Sequence, residues 1–310
     1  MNELEMLQSL LRERAELRSR LSLLPYDGTP EIKLVSDSKY LYVRKRILDK
    51  VSSTYVGPYS DDLYNLLIKN NVEAKSIRKS IRRIEKELAK LNYSEDDVNP
   101  KVLINLEFAR SNMKQIIYDQ AVLEGVATTF PDTETIIENG KVNNVKAEDV
   151  QKILNLKHAW EFILDKDVLK APTNYYLSSY IAKLVNEGFY QDGGKIRGVP
   201  VTIGGSTYIP PMPIEIQVKE EIDNILKKDV DKKEIAIELL LYVMKTQIFN
   251  DGNKRTAVIF ANHYMIANAL GLVIIPYDSV PEFKKLLVLY YEDKDLVSIK
   301  KFLRKCINKF

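Results

Sequence analysis

The chain has a single cysteine, Cys306, only two histidines, His158 and His263, and no apolar run near the roughly 18 residues that span a bilayer. One thiol excludes an internal disulfide framework and suits a reducing compartment. Two histidines and one cysteine without paired spacing leave nothing from which to build a zinc site, so any metal here is held by oxygen. Net charge is scarce too: 46 Lys and Arg stand against 43 Asp and Glu, a formal +3 over 310 residues. That balance creates no field of the kind that drives non-specific nucleic-acid binding, which argues against a nucleic-acid partner. The charged start MNELEMLQSLLRER lacks the apolar core of a signal peptide. The expectation is a cytoplasmic protein that does not enter membranes.

What is present is enough apolar content, 45%, to bury a full core. Residues 3 to 24 carry Leu4, Leu7, Leu10, Leu11, Leu17, Leu21 and Leu24 among many charges, a helical, coiled-coil-like pattern closed by Pro25-Tyr26-Asp27-Gly28. A second such helix runs from about Ser60 to Asn92. Between them Lys39 to Arg44 and Val51 to Val56 favour strands, joined by a short polar link ending at Asp49-Lys50, and read as a hairpin. Residues 1–94 thus form a helix/β-hairpin/helix module whose leucine-rich helices are compatible with packing or with a homodimer. The basic run Lys75 to Arg83, with tyrosines nearby, would suit contact with nucleic acid, but Glu85 and Glu87 in the same helix favour an oligomerisation or packing appendage.

The polar stretch Asn92 to Pro100 marks a boundary, after which residues 101–310 are mainly α. Helices are expected over Val102–Glu124, Lys146–Leu164, Asn174–Glu187, Ile214–Lys227, Lys232–Gln247, Lys254–Leu270 and Val280–Phe310. Two interruptions are expected: a turn or hairpin over Thr128–Val142 around Asn139-Gly140, and a β-hairpin from Gly193 to Pro211.

The stretch Phe249-Asn250-Asp251-Gly252-Asn253-Lys254-Arg255 carries chemistry. Gly252 permits a tight turn or close approach to a ligand, and the helix that follows offers free N–H groups and its positive dipole end to an anion. Asn253 can cap that helix or donate to an oxygen, Arg255 supplies a planar fork for phosphate, and Asp251 can hold a Mg²⁺ that bridges phosphates. Each residue alone is ordinary turn-and-cap chemistry; their joint spacing points to a nucleotide's phosphates.

Gln247-Ile248-Phe249-Asn250-Asp251-Gly252-Asn253-Lys254-Arg255 resembles the signature of Fic (Fido) domain proteins, His-x-Phe-x-Asp/Glu-Gly-Asn-Gly/Lys-Arg. The family precedes this motif with a β-hairpin flap, which Gly194 to Arg197 and Tyr208-Ile209-Pro210-Pro211 fit. The resemblance covers roughly residues 105 to 275. It implies a helical domain with a β-hairpin flap, and transfer of AMP from ATP, or of another phosphate-containing moiety, to a hydroxyl of a protein substrate. On the matching positions it implies Asp251 for Mg²⁺, Gly252, Asn253, Lys254 and Arg255 for the phosphates, and Ser206, Thr207, Tyr208 and Ile209 for holding the target segment as an added strand.

Two positions depart from the pattern. Gln247 stands where the family has its catalytic His, and an amide cannot take the attacking hydroxyl's proton; losing a general base costs roughly 10²–10⁴-fold. His263, eight residues past Arg255, and His158 beside Trp160 read as packed histidines that do not replace it. Val258 stands where many members keep a second Arg, an absence shared with the death-on-curing toxins, whose motif likewise carries Asn-Lys-Arg. Gln120-Ala121-Val122-Leu123-Glu124-Gly125 resembles the family's inhibitory helix in all but its first position, making Glu124 the candidate autoinhibitor. The expectation is a Mg-nucleotide-binding Fic protein impaired at its base. The alternative is a catalytically silent, regulatory or antitoxin-like interaction protein.

Overall fold

The computed structural model describes residues 3–47, 50–93, 98–138, 142 and 145–308. The chain divides into two compact units, Met1–Asp96 and Asp97–Phe310. In the first, helix α1 (Glu3–Leu23) is followed by strands β1 (Thr29–Val35), β2 (Ser38–Ile47) and β3 (Lys50–Pro58) and then helix α2 (Asp61–Lys90). The strands form one antiparallel sheet in sequence order, so the expected two-stranded hairpin has a third strand. β1 turns into β2 through Ser36 (φ 48°) and Asp37 (φ 63°), the paired left-handed residues of a two-residue hairpin turn. Leu41 and Val43 of β2 are buried with Leu67 of α2, and Tyr59, Leu63 and Tyr64 close over them. Asp27 ties the turn after α1 to both later elements, accepting from Lys45 Nζ at 2.6 Å and from Arg78. The β2–β3 link through Asp49 lies outside the described residues.

The second unit is helical: α3 (Pro100–Ser111), α4 (Met113–Leu123), α5 (Phe130–Ile137), α6 (Ala147–Ile163), α7 (Lys166–Leu169), α8 (Tyr175–Val185), α9 (Glu215–Leu226), α10 (Lys232–Thr246), α11 (Asn253–Ala267), α12 (Val280–Tyr291) and α13 (Val297–Lys305), with two short strands, β4 (Leu272–Val273) and β5 (Ile307–Asn308), pairing antiparallel. α11 is the axis. Every residue from Arg255 to Ile266 is buried, with α3, α6, α8 and α10 packed around it. A helix buried on all sides belongs in the middle of a bundle, and its polar residues there, such as Asn262 and His263, are hydrogen-bonded. No helix among the described residues is long and apolar enough to cross a membrane.

Four expectations are corrected. The helix expected over Val102–Glu124 is two helices, broken at Asn112 (φ −107°), whose side chain bonds back to Phe108 O at 2.9 Å. The turn expected from Thr128 is instead α5, capped by Thr129 accepting from Asp132 N, with proline in its first turn; Asn139-Gly140 lies outside the described residues. The last expected helix is α12 and α13, separated at Asp293 (φ 56°) and finished by β5. Between Gly193 and Pro211 no strand ladder forms among the described residues; Ile196 makes an isolated bridge to Phe249 instead.

Candidate functional site

Two backbone reversals build the loop between α10 and α11. Gln247 ends α10 at φ 49° and Gly252 begins α11 at φ 71°. A Cβ on Gly252 would lie 2.9 Å from Asn186 Oδ1 and 3.0 Å from Val185 Cγ2, so conformation and close packing both require glycine. Phe249 is fully buried and pins the loop. Asn253 braces it: Oδ1 accepts from Phe249 N at 2.9 Å, and Nδ2 donates to Phe249 O at 2.7 Å and Gln247 Oε1 at 3.2 Å. The Asn253 side chain expected on a phosphate is therefore spent on the loop. The N-terminus of α11 has no side-chain cap, which leaves its leading N–H groups to serve an anion.

Arg255, 2% exposed, reaches sideways into the scaffold. It donates from Nη1 to Val185 O at 2.8 Å and from Nη2 to Asp251 Oδ2 at 2.9 Å. Its Nε faces Glu124 Oε2 at 3.5 Å, and Lys254 Nζ lies 3.9 Å from Glu124 Oε1. Both Arg255 Nε and Glu124 Oε1 are buried without a hydrogen-bond partner. Lys284 of α12 feels the same group: burial and Lys254 lower the pKa of its amine, and Glu124 raises it. Val258, in place of a second arginine, is 4% exposed.

Glu124 is delivered there by the end of α4. Gly125 (φ 81°) donates to Val122 O, and Val126 N to Ala121 O at 3.0 Å, the paired bonds of a Schellman ending. One turn earlier, buried Gln120 donates to Arg255 O at 2.9 Å and accepts from Trp160 Nε1 at 2.8 Å. That side chain fixes α4 to the first turn of α11.

Asn186, fully buried at the end of α8, is a hub that periodicity could not reveal. Its Nδ2 donates to Asp251 O at 2.9 Å and Gly193 O at 3.2 Å, and Oδ1 accepts from Arg255 Nη2 at 3.4 Å. Behind it, Asn155 Nδ2 donates to Glu187 O at 2.8 Å, and His158 Nδ1 lies 3.2 Å from Glu187 Oε2. His263 is buried between Thr173 Oγ1 at 3.0 Å and Val168 O at 2.8 Å, and burial pushes its pKa down to about 4. Both histidines are packed, away from Gln247.

Arg197 organises residues 198–214. It is 1% exposed and donates to the carbonyls of Gln247 (2.6 Å), Val199 (2.8 Å), Pro210 (3.1 Å) and Pro211 (2.5 Å). Both arms of the segment spend carbonyls on this one guanidinium, which accounts for the missing ladder. Its corner docks on the end of α12: Ser206 Oγ, Thr207 N and Thr207 Oγ1 all donate to Glu292 Oε1, and Tyr208 stacks on Tyr291 with centroids 6.4 Å apart.

Residues 175–265 match the sequence profile described as the Fic/DOC family. This segment is a Fic domain. Residues 3–65 match a domain of unknown function, DUF6788. No curated protein matches the chain. Among solved structures it is similar to residues 134–508 of Fic-1 from C. elegans, at 18% identity and TM-score 0.53, covering 79% of this chain and 80% of that one. It is also similar to a Fic-domain-containing signaling protein from Bacteroides thetaiotaomicron, at 15% identity and TM-score 0.54 over 68% of this chain and 87% of that one. A Fic family protein from Desulfovibrio desulfuricans matches at 14% identity and TM-score 0.52, over 69% and 74%. At these identities the likeness speaks for the fold.

Around the start of α11 the fold brings together Gln247, Asp251, Gly252, Asn253, Lys254 and Arg255 of the Fic segment with Glu124 from the end of α4. Ser206, Thr207 and Tyr208 are held at the end of α12, and Ile209 is 67% exposed. Gln247 is tied at both ends of its amide, donating to Met244 O at 2.6 Å and accepting from Asn253. No group of three or more His, Cys, Asp or Glu side chains among the described residues could hold a metal. A Mg²⁺ shared with phosphates needs only one or two carboxylates. Half-exposed Asp251, with Oδ2 bonded to Arg255, fits that lesser demand through Oδ1.

Proposed function

We propose that the loop between α10 and α11 binds a Mg-nucleotide, and that the Fic domain transfers AMP or another phosphate-containing moiety to a protein hydroxyl, slowed by Gln247. The observation that carries this is Glu124. A carboxylate lies 3.5 Å from Arg255 Nε, within reach of Lys254, beside an uncapped helix N-terminus, and Arg255 Nε lacks a hydrogen-bond partner. It stands in for a phosphate oxygen and blocks the place one would take. Asn186, Gln120 and Asn253 hold the loop in shape without ligand, so little ordering cost falls on binding. When bound with nucleotide, Mg²⁺ would neutralise phosphate charge, with Asp251 its protein ligand. Lys254 and Arg255 would supply fixed positive charge, the main protein contribution in phosphoryl chemistry. Gln247 would orient the attacking hydroxyl but leave its proton to solvent.

A second reading, a catalytically silent interaction protein, is favoured by Gln247, whose amide nitrogen and oxygen are each already engaged by a neighbour. On this second reading residues 1–94 would be the partner-binding part, and residues 101–310 a separate domain. The test is label transfer from nucleotide carrying the label at the α or γ phosphate, for wild type and Gln247→His, each with and without Glu124→Gly. Labelling confined to the His variants supports an intact site silenced at its base, and labelling by wild type supports an active enzyme. No labelling by any variant rejects transfer.

A further inference from the structure

Glu292 is in an awkward place for a carboxylate. It caps the C-terminal end of α12, where the helix dipole disfavours negative charge, yet its carboxyl is held down at about 2, first by Lys294 and then by Thr207. Lys294 holds one carboxylate oxygen and the flap corner holds the other. Ser206 Oγ at 3.2 Å, Thr207 N at 2.9 Å and Thr207 Oγ1 at 3.0 Å converge on Oε1, while Oε2 accepts from Lys294 Nζ at 2.5 Å. Three donors from two adjacent residues aimed at one oxygen form a carboxylate receptor. Tyr208 closes it from one side by stacking on Tyr291, with Lys245 5.1 Å from its ring. Around the corner the flap leaves Val199 56%, Ile209 67% and Met212 45% exposed.

We infer that the Ser206–Thr207 corner is a carboxylate-recognition site, filled in the free protein by Glu292, and that the protein segment accepted by the flap places an acidic side chain there with apolar neighbours along Val199 and Ile209. The inference rests on the flap being the target-holding element of the proposed function. Thr207 N–H is a backbone donor that an added segment would use, and Glu292 occupies it. Exchange of one carboxylate for another leaves the donors satisfied throughout and returns Glu292 to Lys294 and water, so an acidic segment can displace it where a neutral one cannot.

The test is equilibrium binding of two fluorescein-labelled peptides, acetyl-Leu-Val-Glu-Ser-Val-Leu-amide and its Gln counterpart, by wild type, Glu292→Gln and the double variant Glu292→Gln with Thr207→Ala. Glu292→Gln is expected to bind the Glu peptide about tenfold tighter than wild type does, equivalent to 1.4 kcal/mol, and to prefer it over the Gln peptide; the double variant is expected to lose that preference. Equal binding of both peptides by Glu292→Gln, or weaker binding of the Glu peptide than by wild type, overturns the inference. Circular dichroism and melting temperature of each variant establish that it is folded. The readout needs no nucleotide: acid-selective binding with no label transfer defeats the transfer reading alone, and label transfer without acid selectivity defeats the corner alone.

Discussion

Replacing Glu124 by Gln should move affinity and stability in opposite directions. At 3.5 Å from Arg255 Nε, the gross attraction of two unit charges is about 5 kcal/mol for an effective dielectric of about 20. Desolvation consumes most of it, because Arg255 is buried and both its Nε and Glu124 Oε1 are shut off from water without a hydrogen-bond partner. The net worth of the pair is about 1 kcal/mol, lost in the variant. A phosphate, however, must displace this carboxylate or sit beside it, so removing its charge should tighten Mg-ATP binding about tenfold, or 1.4 kcal/mol. Gln is preferred to Gly here because it keeps the helix ending at Gly125 and alters charge alone. Titration calorimetry with Mg-ATP at fixed salt measures the first effect, and urea denaturation the second. Unchanged or weaker nucleotide binding, together with lower stability, would refute the reasoning and leave Glu124 a structural ion pair.

Gln120→Leu strands Trp160 Nε1 in the core and removes the tie to Arg255 O, and should cost about 1–3 kcal/mol, read as a lower urea midpoint at unchanged slope; a loss under about 1 kcal/mol would mean that α4 is fixed otherwise. Arg197→Leu frees the carbonyls of Val199, Pro210 and Pro211, so limited proteolysis should cut between residues 198 and 214 at least tenfold faster, while cuts elsewhere stay unchanged. His263, depressed by burial to about 4 from 6.5, stays neutral in the folded state while the unfolded chain takes up a proton. Stability is therefore full above pH 6.5, falls by about 3 kcal/mol as pH drops to about 4, and levels off below; His263→Gln should flatten that part of the urea-stability profile.

The loop geometry was legible because it is contiguous: Phe249, Gly252, Asn253 and Arg255 declare a turn and a helix start in seven residues. Glu124 was legible for the same reason, as a glutamate before a helix-ending glycine. The side chains that hold these pieces together were not. Asn186, Gln120 and Arg197 bond mainly to backbone carbonyls far away in sequence, and a buried polar residue looks the same in a periodicity count whether it is a hub or an exposed position. Asn253 shows the converse, since its type suggested a ligand donor while its side chain braces Phe249. Lys284 and Glu292 reach their neighbourhoods only through the packing of α12. β1 was missed because proline and two charges dilute its apolar alternation, and α5 because Asn139-Gly140 drew the whole stretch toward a turn, although Thr129, Pro131 and Asp132 spell a helix start.

The position of a nucleotide's phosphates in crystals grown with Mg²⁺ and a non-hydrolysable ATP analogue tests the central claim most directly. A phosphate group is expected at the N-terminus of α11, within hydrogen-bond distance of Arg255 Nε or Lys254 Nζ, with Glu124 turned away. A nucleotide bound elsewhere with Glu124 still facing Arg255, or none at saturating analogue in crystals of Glu124→Gln, would contradict it.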